Sequence, residues 1–430
     1  MKDISSTGSF IKFYLNNYIY VDKTKYIRDL IKLEKVFISR PRRFGKSLTL
    51  DTIATLFETG VEPYFKGTWI YDKWTEPTYP VLRLNFLNFD KNSIEKFNNK
   101  LNSKITEFAE LNHVTTFKEK EEAEDSIDHL LEQLRLEGRQ IVILIDEYDC
   151  QMTANINNES LYKQFQEKIK SFYATIKNKW PIKFLGITGV TRLKDVSIFS
   201  VGSDINDITN DSAYSQMIGF TRDEIKKFYI DYLKLASAYE NNCNVDEVTD
   251  TQIESMLDMM AQNYDGYCFD EDYEKKVFST WSVNTFLQSV VDKKKVQFGE
   301  YWYDNGGLPS ILVNYLKTHE LNIFEYLDKD KFLKVSSDDF KNPTALTTIN
   351  QNVLMCQTGY LTLRSSLTES SDVFLGIPNG ELYKALNKLL ATKFFKGNIS
   401  VSNANGENIL NVGSVEDIIS LLNTMVNTVT

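Results

Sequence analysis

Ser39-Arg-Pro-Arg-Arg-Phe-Gly-Lys-Ser-Leu48 is the stretch on which the reading of this chain turns. A short apolar run, Lys35 to Ser39, leads into it, and a helix-like stretch from Lys46 to about Glu58 follows. Gly45-Lys46-Ser47 between a strand and a helix is the back half of a phosphate-binding loop. In such a loop successive backbone amides and the helix N-terminus face an anion. Lys46 is then expected to reach the β and γ phosphates of ATP, and the Ser47 hydroxyl to ligate Mg²⁺. The remaining nucleotide contacts are expected from Arg40, Pro41, Arg42, Arg43, Phe44, Gly45 and Leu48. One departure stands out: Arg40 occupies the place of the usual first glycine. A plainer alternative is a glycine at a helix start beside an exposed lysine.

Working outward, Ile141-Val-Ile-Leu-Ile-Asp-Glu-Tyr-Asp149 is a continuous apolar run ending in paired carboxylates. Such a run suits a strand covered on both faces. Asp146 at its end is expected to hold the Mg²⁺ shell, and Glu147 to orient or deprotonate an attacking water. Asp149 is either a third functional carboxylate or a helix cap. Ile182 to Gly189 reads as a further strand, ending in Thr188-Gly-Val-Thr-Arg192. ATPases with an extra strand between the two Walker motifs place a γ-phosphate-sensing polar residue there, so Thr188 is the candidate. Arg192 is a candidate to act on phosphate in cis or in trans, with a surface ion pair as the other reading.

Tyr79 to Phe86 alternates with period two, as a strand does. Ser93 to Leu111, Glu121 to Leu136 and Glu159 to Lys177 look helical. Strands separated by helices imply crossover connections and parallel pairing. The fold class is therefore α/β: a P-loop NTPase core with a mainly parallel sheet, followed by a helical lid and a small mixed α/β C-terminal region. The pattern changes near Phe220, where Thr221-Arg-Asp-Glu224 has capping-box spacing. Expected boundaries are 1–220 for the core, 221–330 for the helical region and 331–430 for the mixed region. Asn305 to Pro309 and Asn403 to Gly406 read as turns, Gly359 to Leu363 as a strand, and Lys118 to Asp125 as a solvated charged face.

Composition narrows the function classes. The 430 residues suggest about two to three domains. Hydrophobic residues at 42% and charged residues at 25% are ordinary for a globular chain, which excludes collagen-like and disordered classes. Cys150, Cys243, Cys268 and Cys356 lie far apart, without CxxC, so neither a zinc ribbon nor a disulfide framework is indicated. His113, His129 and His319 form no HExxH spacing. A formal charge of −10 argues against a generally basic nucleic-acid-binding surface but not against a local groove. No apolar run approaches the roughly 20 residues that span a bilayer, and the N-terminus lacks a signal-peptide core. A cytoplasmic setting without membrane contact is expected.

Taken together, these motifs resemble those of the bacterial AAA-ATPase-like family, whose members are usually fused to a C-terminal PD-(D/E)XK nuclease-type domain. The resemblance is carried by Tyr20-Val-Asp-Lys-Thr24 with Tyr26-Ile27, Arg40 to Ser47, Tyr79-Pro-Val81 and Ile145 to Asp149. It continues through Gly219-Phe-Thr221, Tyr264-Asp-Gly-Tyr267, Gly359-Tyr-Leu-Thr362 and Ile377-Pro-Asn379. It covers roughly residues 10 to 380, and within the family an arginine at the position of Arg40 is normal. It implies an ATPase core with Mg·ATP at Lys46, Ser47, Asp146 and Glu147, a helical lid at 221–330 and a winged-helix-like or linker region at 331–430, driving a regulatory cycle linked to nucleic acid, a protein effector or bacterial defence, with a homo-oligomer as one arrangement open to it. About 50 residues follow Asn379 and hold no paired carboxylates with ExK, so nuclease activity is not expected. Two alternatives stay open: a nucleotide-binding switch or scaffold with little turnover, and a DNA-binding scaffold using Arg40, Arg42 and Arg43.

Overall fold

The computed structural model describes residues 1–193, 204–304, 310–317, 319, 325–326, 328–343, 345–367, 371–394 and 419. The expected turns Asn305 to Pro309 and Asn403 to Gly406 lie outside the described residues. The N-terminal part opens with helices α1 (Phe10–Leu15) and α2 (Thr24–Leu30), then β1 (Lys35–Ser39) and α3 (Lys46–Thr59). It continues through β2 (Val81–Asn85), α4 (Ile94–Leu111), α5 (Ala123–Leu136), β3 (Ile141–Asp146), α6 (Cys150–Ala154), α7 (Glu159–Ile176), β4 (Ile182–Gly189) and β5 (Asn206–Asp207). The five strands form one sheet in the order β2-β3-β4-β1-β5, and every pairing is parallel.

The covering helices follow from their apolar spacing. In α4, Phe97, Leu101, Ile105 and Phe108 recur every three or four residues and are buried, so one stripe faces inward. Ser93 starts that helix, its hydroxyl accepting from the Lys96 amide at 3.3 Å. In α7 the buried stripe is Phe165, Ile169, Phe172, Tyr173 and Ile176. Between these layers all six residues of β3 are buried. Burial of both faces explains its unbroken aliphatic run.

A second hydrophobic cluster forms around α8 (Arg222–Phe228), α9 (Ile230–Asn241), α10 (Asp250–Tyr264) and α11 (Thr280–Lys293). The Thr221–Glu224 capping box is present in full at the start of α8. Ile19 and Val21, from the N-terminal segment, join this cluster rather than the sheet core. A short antiparallel pair, β6 (Tyr267–Cys268) and β7 (Lys276–Val277), lies between α10 and α11. Beyond α12 (Tyr301–Asp304) and α13 (Ser310–Tyr315) comes an antiparallel sheet in the order β8-β10-β9, made of β8 (Leu333–Ser336), β9 (Thr362–Leu363) and β10 (Asp372–Gly376). Helices α14 (Ser337–Lys341), α15 (Gln351–Gln357) and α16 (Gly380–Phe394) complete it.

Two expectations are corrected. Gly359 to Leu363 is a strand only at Thr362–Leu363, because Gly359 (φ +92°) first turns the chain after α15. The charged face at Lys118 to Asp125 is solvated over its first half, but Ala123 and Glu124 are buried, with Glu124 paired to Lys168 at 2.6 Å.

The end of β4 has no room for a side chain at Gly189. A Cβ there would lie 2.4 Å from the Tyr148 ring and 2.8 Å from Asp149 Oδ1. Gly189→Ala is expected to destabilise the fold by about 1–3 kcal/mol in urea unfolding. Gly8→Ala, whose Cβ would make an ordinary 3.7 Å contact with Ser47, is expected within about 0.5 kcal/mol of the parent.

Candidate functional site

Parallel pairing brings the C-terminal ends of the strands to one edge. Ser39 lies opposite Gly189, and Asn85 opposite Asp146. Such an edge is where α/β sheets bind ligands. The loop from β1 to α3 crosses it with Arg43 at φ +69° and Gly45 at φ +104°. A Cβ on Gly45 would meet nothing within 4 Å, so glycine is required there by backbone conformation, not by space. Lys46 Nζ donates to the loop's own carbonyls, Arg40 O at 3.0 Å and Pro41 O at 3.2 Å, and lies 3.9 Å from Glu147 Oε1.

Asp146 is the hub. Its Oδ2 accepts from Ser47 Oγ at 2.6 Å and from Asn85 Nδ2 at 3.4 Å. Its Oδ1 accepts from Thr188 Oγ1 at 2.6 Å and the Glu147 amide at 3.0 Å. Thr188 therefore holds Asp146 and is itself buried. Asn85 was missed from sequence; its signal is the register that sets the last residue of β2 beside the last residue of β3. Glu147 follows with φ +54°, an uncommon conformation for a non-glycine residue and one concentrated at functional sites. Burial raises the Glu147 carboxyl above the ordinary carboxylate range; Lys46 opposes this, while Asp149 and Asp146 reinforce it. Asp149 does not cap α6 with its side chain. Its Oδ2 accepts from the Thr191 amide at 2.7 Å and hydroxyl at 2.5 Å, tying the loop after β4 to the acidic strand end.

A cavity of about 360 Å³ opens over the loop, within the range of small-molecule sites. Arg42 to Thr49 and Glu147 are among its lining residues, together with the apolar Phe13, Ile19, Val21, Ile27 and Phe220. Ser5 to Gly8 and Tyr229, Thr280, Trp281 and Asn284 also line it. Loop amides, an ammonium, a hydroxyl and a carboxylate beside apolar walls suit a nucleoside triphosphate with Mg²⁺. Two side-chain oxygens, from Ser47 and Asp146, match the few protein ligands Mg²⁺ takes beside phosphate.

Within Tyr20 to Thr24, Tyr20, Val21 and Lys23 line the cavity. Asp22 accepts from the Thr24 amide at 2.9 Å and the Trp69 amide at 2.6 Å. Lys23 Nζ donates to Gln216 O at 2.8 Å and pairs with Glu224 at 2.6 Å, stitching the N-terminal segment to the start of α8.

The arginines separate. Arg42 lines the cavity. Arg43 donates to Tyr301 O at 3.0 Å and Trp302 O at 3.3 Å, lies over the Trp281 ring at 4.8 Å, and accepts from Thr280 Oγ1 at its own carbonyl at 2.8 Å. Arg40 is buried, turned away to Ser39 O and Thr209 O. Arg192 pairs with Asp207 and does not line the cavity over the loop. The three loop arginines therefore present no common basic face.

The later motifs meet behind the loop. Phe44 packs edge-on against Tyr267, Phe269 and Trp302. A Cβ on Gly359 (φ +92°) would sit 2.8 Å from Pro41, and one on Gly266 (φ +93°) 2.3 Å from Pro378 O. Asn379 Nδ2 donates to Asp265 O at 2.7 Å, and Thr362 Oγ1 accepts from the Cys268 amide at 2.8 Å. Glu381, at the start of α16, is buried; its oxygens accept from Ser282 Oγ at 2.7 Å and the Trp302 amide at 2.7 Å. Burial pushes its carboxyl from 4.5 to about 7.

Residues 5–199 match the AAA-ATPase-like family, described as predicted AAA-ATPases. The match ends before Gly219-Phe-Thr221 and the later segments. An uncharacterised protein from the vnfD 5′ region of Azotobacter chroococcum mcd 1 is 27% identical over 400 residues, which cover 91% of this chain and 70% of that protein. Among solved structures, Cdc6p from Pyrobaculum aerophilum aligns at 10% identity over 86% of this chain and 93% of that one, with a TM-score of 0.27, too low to bear on the fold. No described helix is long and apolar enough to cross a membrane.

Because the Glu381 carboxyl is raised in the folded state, its stabilising protonated form is complete below about 4.5 and lost as pH rises through about 7. Glu381→Gln is expected to flatten the pH dependence of stability across that window, by roughly 2–3 kcal/mol, in urea unfolding at several pH values.

Proposed function

We propose that the chain is a Mg²⁺-dependent ATPase whose nucleotide cycle drives a conformational, regulatory change. The observation that carries this reading is the convergence of Lys46, Ser47, Asp146 and Glu147 at one sheet edge beneath a cavity of nucleotide size. The loop amides and the N-terminus of α3 bind the phosphates. Lys46 exchanges Arg40 O and Pro41 O for phosphate oxygens and offsets their charge. Ser47 and Asp146 hold Mg²⁺, which when bound supplies further charge neutralisation at the β and γ phosphates. Thr188 and Asn85 keep Asp146 aimed. Glu147 orients the attacking water, and its raised carboxyl makes it a stronger base than an ordinary carboxylate.

Residues 1–220 act as the core, 221–330 as the lid and 331–430 as a relay to a partner. Arg43, reaching from the loop to the lid and to the backbone of α12, links nucleotide state to lid position. The same contact, with the Lys46 to Glu147 approach of 3.9 Å, favours a second reading in which the chain holds nucleotide as a slow switch.

Steady-state ATP hydrolysis separates the two. Under the first reading Lys46→Ala and Glu147→Gln each lower kcat by about 10²-fold or more, while Glu147→Gln keeps ATP binding. The parent rate should fall with decreasing pH at a higher pH than an ordinary carboxylate would set. No turnover, together with ATP-dependent thermal stabilisation lost in Lys46→Ala, supports the switch instead.

A further inference from the structure

Arg40 carries an uncompensated edge. Only 1% of it is exposed. Its Nη1 donates to Ser39 O at 2.9 Å and Thr209 O at 2.5 Å, and its guanidinium lies 4.2 Å over the Phe269 ring. Its Nε and Nη2 are buried and have no hydrogen-bond partner. Buried guanidinium nitrogens are ordinarily satisfied, because an unpaired buried donor carries its full desolvation cost. The Nε–Nη2 edge is one that a carboxylate or phosphate grips with two parallel bonds.

Arg40 also lines a small cavity of about 40 Å³, distinct from the one over the loop. Arg40, Arg192, Asn210, Gln357 and Phe269 are among its lining residues. Asp207 is the neighbouring carboxylate, and it already pairs with Arg192 and accepts from the Thr209 amide at 2.9 Å. The volume admits a small ion and excludes a nucleoside.

We propose that this cavity is a second anion site, in which the Nε–Nη2 edge of Arg40 takes a small inorganic oxyanion of the phosphate class. Burial pulls the Arg40 guanidinium down to about 9, so an anion there also relieves a charge the fold holds at a cost. The site lies behind the loop. Arg40 O is one of the carbonyls that Lys46 Nζ holds, at 3.0 Å, so a ligand on the side chain of Arg40 and a ligand at Lys46 act on the same residue.

The test uses the full chain and two probes. Crystals soaked in selenate are measured at the selenium edge. Phosphate is titrated into the protein in solution at constant ionic strength, following the thermal midpoint. The expected result is an anomalous peak within hydrogen-bond distance of Arg40 Nε and Nη2. Phosphate should also raise the midpoint in both the parent and Lys46→Ala, with apparent affinity weakened about tenfold or more in Arg40→Met. Arg192→Gln, which leaves the Arg40 fork in place, should weaken it by a smaller factor and serves if Arg40→Met does not fold. A selenate peak confined to the loop at Gly45-Lys46-Ser47, or no peak at all, overturns the proposal. So does a phosphate effect lost in Lys46→Ala and unchanged in Arg40→Met. None of these outcomes bears on whether the chain hydrolyses ATP, so the two readings fail independently.

Discussion

The carboxylate of Asp146 sits where three chain segments besides its own have to meet, and each supplies it a donor. Ser47 comes from the start of α3, Thr188 from β4 and Asn85 from β2, and the next backbone amide closes the set. A buried carboxylate is tolerated only where its oxygens are satisfied. The side chain therefore acts as a gauge: its bonds form together only when β2, β3 and β4 are in register and α3 begins at the right height. The parallel order of the sheet and the conformation of the loop are thus checked at one point.

The loop is constrained from its other side by packing. Phe44 is enclosed by three aromatic rings, Pro41 lies against Gly359, and Arg43 is held by α12 and Trp281. The residues that do this are about 220 to 320 positions away in sequence. A loop rich in arginine, whose mutual repulsion would spread it in water, is instead distributed among separate partners. Arg42 and Arg43 line the cavity, Arg43 is also held by Trp281 and α12, and Arg40 turns to the interior.

That distribution marks the limit of what the sequence makes legible. Lys46, Ser47, Asp146 and Glu147 are readable because a strand end, a turn and a helix start are local events, and two apolar runs place them. The direction of Arg40 is not readable, since it depends on Thr209 and Phe269, far along the chain. Arg192 is drawn to Asp207 for the same kind of reason. Thr188 was found by the position of its strand, yet its hydroxyl bonds Asp146 and does not line the cavity. Asn85 closes the alternating run Tyr79 to Phe86, but its place beside Asp146 depends on which strands are neighbours, which periodicity does not reveal. Tyr264 to Tyr267, Gly359 to Thr362 and Ile377 to Asn379 look unrelated along the chain; they converge because Gly266 lets the backbone approach Pro378 O and Thr362 Oγ1 accepts from the Cys268 amide.

The strand order also sets a distance. Because β4 lies between β1 and β3, the lysine loop and the acidic pair are carried on strands two spacings apart, about 9–10 Å. Were β1 and β3 direct neighbours at about 4.8 Å, the strand ends would crowd the space above them. With one strand between, the end of β4 lies between the two, and Ser47 still reaches Asp146 across it at 2.6 Å. The connectivity of the chain thus works as a calliper, setting the spacing of the two strand ends before any side chain is placed.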